Sequence, residues 1–158
     1  FGSRLNKVLR EEKGYTYGVR ASNSPFRVGG FTAISGSFRN DVVADAVSLV
    51  GPLVDVTDTP LRADEIDDAR RYLVGVQPLQ YATASGVCGA VSTLIGVGLD
   101  STYVDALRAG LMRVTPAAAS EAASRFLPSD QLSLVVVGDA ETLVGPLRER
   151  GFDVHVEA

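Results

Sequence analysis

Histidine and cysteine each occur once in the 158 residues, as His155 and Cys88. A lone thiol forbids an internal disulfide, and this pair cannot build a metal centre that needs clustered imidazole or thiolate ligands. Basic runs are missing too: 15 Lys and Arg face 19 Asp and Glu, for a net charge of −4. That balance argues against a nucleic-acid partner and against an anionic membrane surface. No apolar stretch reaches the roughly 18 residues of a membrane-spanning helix, and no signal-peptide pattern opens the chain. A single cysteine fits a reducing compartment, so a cytoplasmic location is the expectation.

What is present suffices for a core. At 46% hydrophobic, the chain reads as one domain over residues 1–158. Two strands, about Tyr15–Ser22 and Gly30–Phe38, are predicted around a loop with Asn23, Ser24 and Pro25. Asn40 is the expected N-cap of a helix whose inner face is Val43, Val47, Val50 and Val54, weakened near its end by Gly51-Pro52. A further helix from about Ala63 carries Asp64 and Glu65 in its first turn and buries Ile66, Ala69, Leu73 and Val76. Pro78 interrupts, and an apolar, small-residue segment runs from Tyr81 to about Leu99. Helices are expected from Thr102, with Asp105 at capping-box spacing, and from Thr115-Pro116 to about Phe126. Leu132–Val137 reads as a strand buried on both faces, Glu141–Arg150 as a helix capped by Gly151, and Phe152–Val156 as a closing strand. The early hairpin among interspersed helices makes the fold class α+β, an antiparallel-rich sheet covered by helices.

The most informative stretch is Arg4–Val19. Leu5, Val8 and Leu9 form an apolar helical stripe, Gly14 stands where a helix wants a left-handed C-terminal residue, and Tyr15, Tyr17 and Val19 alternate as strand residues do. Arg10 lies off the stripe. Such a helix–glycine–strand unit holds the Arg10 guanidinium and the Tyr17 phenol, both hydrogen-bond donors, in a fixed relation.

Ser3-Arg4-Leu5, Leu9-Arg10-Glu11 and Gly14-Tyr15-Thr16-Tyr17 resemble a block of the insulinase-like superfamily of inverted zinc peptidases, which includes pitrilysin and the mitochondrial processing peptidase. Further agreement lies in Gly29-Gly30-Phe31, in Asp64-Glu65-Ile66 with Ala69, and in Val135-Val136-Val137-Gly138-Asp139, so the resemblance covers nearly the whole chain. In that family the block marks the carboxyl-terminal half, which does not hold the metal. The resemblance implies that the family's substrate-contacting arginine and tyrosine are Arg10 and Tyr17. It also implies that the sequence is the later part of that inactive domain and lacks its first strands. Zinc would belong to a partner domain, in the same polypeptide or a separate subunit, and the substrate would be a peptide or small protein.

The family's metal motif is His-x-x-Glu-His on a helix, which one histidine cannot supply. His155 alternates with Asp153 and Glu157 opposite Phe152, Val154 and Val156, the exposed side of a terminal strand. No metal ligand, cofactor or catalytic residue is therefore expected in this chain alone. Gly86, Gly89, Gly96 and Gly98 lack phosphate-loop or dinucleotide spacing and read as close helix packing, while Cys88 reads as a small buried hydrophobe. Asp139 reads as the cap of the next helix. The expected function is the non-metal half of a zinc endopeptidase, supplying Arg10, Tyr17 and a chamber wall. The alternative is a catalytically inactive structural subunit, of the kind this superfamily contributes to respiratory complexes.

Overall fold

Ser3 starts the fold. Its hydroxyl accepts from the Asn6 backbone N–H at 3.3 Å and caps α1 (Arg4–Asn6), which runs directly into a π-helical stretch, Lys7–Glu12. The computed structural model describes residues 2–127 and 129–157. Its elements continue with β1 (Val19–Pro25), β2 (Gly30–Gly36), α2 (Asn40–Val54), α3 (Ala63–Gln80), α4 (Ala84–Gly96), α5 (Thr102–Arg113), α6 (Pro116–Phe126), a 3₁₀ turn (Ser129–Gln131) and α7 (Ala140–Glu149). The class is α+β: a two-stranded antiparallel sheet and seven α-helices among the described residues. No described helix is long and apolar enough to cross a membrane.

The chain divides into two compact units. The first comprises residues 1–21, 34–59 and 123–158, and it contains the hydrophobic core. Leu5, Leu9, Val19, Ala46 and Val54 form one buried cluster. Val43 and Ala44 of α2 form another with Leu143 and Leu147 of α7, and Phe38 packs against both. Helical spacing of the α2 residues explains this, since one apolar face serves two neighbours. Arg150, just after α7, pairs with Asp45 of α2.

The second unit comprises residues 22–33 and 60–122. It holds the tip of the hairpin, where Phe26 and Phe31 meet at 5.8 Å between ring centroids, and the helices α3, α4 and α5 with most of α6. Arg70 of α3 donates to the carbonyl oxygens of Leu111 at 3.3 Å and Val114 at 2.6 Å, tying α3 to the end of α5. None of the described residues of α3 to α6 is buried.

Several expectations are revised. Leu132–Val137 has no regular secondary structure and is not a strand: a strand needs a ladder partner, and none of the described residues pairs with it. Only Val136 packs, against the α2–α7 cluster, while Val135 is 86% and Val137 96% exposed. Phe152–Val156 likewise forms no ladder, although Phe152 and Val154 pack against the same cluster. Pro78 does not interrupt α3 but lies inside its last turn, where little of the hydrogen-bond ladder remains to break. Cys88 is exposed, since α4 carries no buried residue. A Cβ on Gly86 would come within 2.1 Å of the Gln80 carbonyl oxygen, so close packing explains that glycine, but Gly89 and Gly96 face open space. Gly98, at φ +83°, is a turn residue. Arg39, not Asn40, precedes α2, and Asp100 rather than Asp105 serves the start of α5 by accepting from the Thr102 N–H at 2.9 Å. The caps at Thr115 and Asp139 are as predicted: Thr115 accepts from the Ala118 N–H at 3.2 Å, and Asp139 from the Glu141 N–H at 3.1 Å.

Candidate functional site

Arg10 lies within the π-helical stretch, and Leu9 beside it is fully buried. A π turn closes its hydrogen bonds five residues back, as Lys13 N–H does to the Val8 carbonyl at 2.9 Å. Gly14 then adopts φ +62°, and the Tyr15 N–H returns to the Leu9 carbonyl at 2.9 Å. This left-handed stop turns the chain sharply while the core anchors its start.

The next residues do not enter the sheet at once. Tyr17 belongs to the connection Gly14–Gly18, and β1 begins only at Val19. Thr16 accounts for the delay. Its hydroxyl accepts from the Gly18 N–H at 3.1 Å and donates to the Ser37 carbonyl at 2.8 Å, a local bond that competes with a ladder and ties the connection to the far end of β2. The other anchor is Asn6, whose buried side-chain amide holds both backbone polar groups of Val19. Tyr17 is therefore held by its backbone while its side chain is 99% exposed. Tyr15 packs against the core instead.

These elements surround a depression of about 600 Å³ lined by Arg10, Gly14, Tyr15, Thr16, Tyr17, Ser37, Phe38 and Arg39. Arg10 and Tyr17 thus line the same concavity, one from the helix and one from the connection. Arg10 is half-buried and has Glu11 at 3.8 Å. Arg4 is directed elsewhere and donates to the Thr59 carbonyl at 2.7 Å. The roles of Asn6, Thr16 and Arg39 are not legible from the pattern of the sequence.

Metal chemistry is not built into this set. Among the described residues no group of three or more His, Cys, Asp or Glu is placed to hold an ion, and His155, 85% exposed, has only Asp153 at 3.3 Å. A second depression is lined by Asp55, Val56, Thr57, Asp58, Ser124, Leu127 and Ser129. Hydrogen bonds from the Thr57 backbone N–H, then from the Thr57 and Ser129 side chains, hold the Asp55 carboxyl below its ordinary range. That site is a self-satisfied loop contact.

Neither a protein-family model nor a curated protein matches the sequence. Among solved structures, the chain is similar to the crystal structure of a peptidase M16 inactive domain from Pseudomonas fluorescens, with a TM-score of 0.71 and 25% identity. The match covers 83% of this chain and 31% of that one, so the present chain spans about a third of its solved relative. The likeness supports, at the level of family, a relation to the inactive domain of such peptidases.

Proposed function

We propose that this chain is the non-metal half of a zinc metalloendopeptidase and binds an extended peptide through Arg10 and Tyr17. One observation carries the reading: both side chains line a single depression in a fold similar to a peptidase M16 inactive domain. The guanidinium and the phenol donate hydrogen bonds to backbone carbonyl oxygens of the bound peptide. At the scissile bond, such donors stabilise the oxyanion that develops as water adds, without moving a proton themselves. They therefore serve a reaction whose metal sits on another domain, in the same polypeptide or a separate subunit.

The test is turnover by the assembled two-half enzyme with Arg10→Ala and Tyr17→Phe. Each should lower turnover by about a hundredfold, the order expected for losing one oxyanion-type donor, with zinc content and melting unchanged. Wild-type turnover in both variants would leave the scaffold reading, a catalytically inactive assembly subunit.

A further inference from the structure

The depression that holds Arg10 and Tyr17 contains a second guanidinium. Arg39 lines it from the connection between β2 and α2, next to Ser37 and Phe38. The other residues with polar side chains that line it are Tyr15, Thr16, Tyr17 and Ser37. Among the described residues, two arginines and no Asp or Glu therefore line this depression.

The carboxylates sit beside the depression, not in it. Asp41 accepts from Arg39 Nε at 3.2 Å and Nη2 at 3.4 Å, which leaves Nη1 without a partner among the described residues. Both side chains of this pair are 66% exposed. An exposed pair of this kind is held weakly and yields readily to a competing carboxylate. Arg39 also precedes α2 without its side chain capping the helix.

We propose that Arg39 forms a subsite for a peptide carboxylate, making acidic peptides the preferred ligands of this depression. The proposal rests on the peptide-binding reading of Arg10 and Tyr17 given above. The planar guanidinium fork matches a carboxylate in two parallel hydrogen bonds, and arginine keeps its charge at any working pH. Arg10 and Tyr17 would hold the backbone, and Arg39 would select what that backbone carries.

The test is fluorescence anisotropy of labelled peptides binding to the full chain. Each peptide is made in paired Glu and Gln forms, with free and amidated C-termini. The Glu form should bind about fivefold more tightly than the Gln form, a modest ratio because the subsite is exposed. Arg39→Gln should abolish the ratio while leaving affinity for the Gln form and the melting temperature unchanged. Asp41→Asn, which removes the competing acid, should widen it, and added salt should narrow it. A preference that follows the free C-terminus instead of the side chain supports the same subsite with a terminal carboxylate as its ligand. Equal binding of all forms, with Arg10→Ala weakening every one, overturns the Arg39 subsite and keeps the peptide-binding reading. Absence of binding by any form overturns both.

Discussion

The side-chain amide of Asn6 stands in for a neighbouring strand at Val19. Its Oδ1 accepts from the Val19 N–H at 2.9 Å and its Nδ2 donates to the Val19 carbonyl at 2.9 Å, and Asn6 is only 6% exposed. One side chain thus satisfies both polar groups on the outer edge of β1 where the strand starts. It also fastens the helix bearing Arg10 to the strand that follows Tyr17. Asn6→Ala should cost about 2–4 kcal/mol, because two buried backbone groups lose their partner at once. Asn6→Asp should also destabilise, by setting a carboxylate oxygen against the Val19 carbonyl. Urea unfolding followed by circular dichroism measures both; a loss below half a kcal/mol for Asn6→Ala would show that the pairing contributes little.

Gly14 should resist substitution for backbone reasons alone. A Cβ there would meet nothing within 4 Å, yet its φ of +62° is unfavourable for a residue bearing a side chain. Gly14→Ala should cost about 1–2 kcal/mol, and Gly14→Asn should recover part of the loss, since asparagine tolerates this conformation. Equal stability of all three proteins by thermal melting would show that the turn relaxes.

Tyr17 and Tyr15 should separate cleanly. Tyr17 is almost wholly exposed and Tyr15 packs against the core. Tyr17→Ala should therefore stay within about 0.5 kcal/mol of wild type, whereas Tyr15→Ala should lose several times that. A large loss at Tyr17 would mean that its ring packs in solution.

Within the run 132–137, Val136 and Val135 should behave as opposites. Val136 packs against the α2–α7 cluster and Val135 is exposed. Val136→Ala should cost about 1–2 kcal/mol, and Val135→Ser should be nearly neutral. Comparable costs at both positions would mean that the run is covered on both sides.

Acid should weaken the fold through carboxylates held below their ordinary value. For Asp55 the cause is hydrogen bonding from Thr57 and Ser129; for Asp139 it is the bond from the Thr142 side chain and the backbone at the start of α7. A depressed native pKa stabilises the fold above the unfolded value near 3.8 and loses that stabilisation as pH falls through the lower native value. The melting temperature should hold from neutrality to roughly pH 5 and then fall, and the fall should be shallower in Asp55→Asn. An identical acid limb in that variant would remove Asp55 from the explanation.

Local chemistry was legible in the sequence where a residue decides its own neighbourhood. The Leu5–Leu9 stripe, the Gly14 stop, the inner face of α2 and the caps at Thr115 and Asp139 all follow from spacing and capping rules. What failed was pairing, which no single segment determines. Leu132–Val137 has strand composition, but a ladder is a property of two segments, and none of the described residues supplies the second. The candidate site was half legible. Arg10 and Tyr17 stand out through the block around them, whereas Thr16 and Arg39 matter because Ser37–Arg39 returns to the same place after the whole hairpin. Sequence distance conceals that return.

The π-helical stretch makes spacing a stricter requirement at this site than composition. Its wider turn accommodates one more residue than an α-helical turn would between the same anchors. Removing Lys7 or Val8 would let the segment relax to ordinary helical winding while Leu5 and Gly14 kept their places. Because successive helical residues are about 100° apart around the axis, a deletion before Arg10 would change the bearing of its guanidinium by that amount. Leu9, fully buried beside it, would swing by the same angle, so the core contact and the arginine's place on the depression would be lost together. Substitution would trim such a site, but a change of length would dial it out of phase.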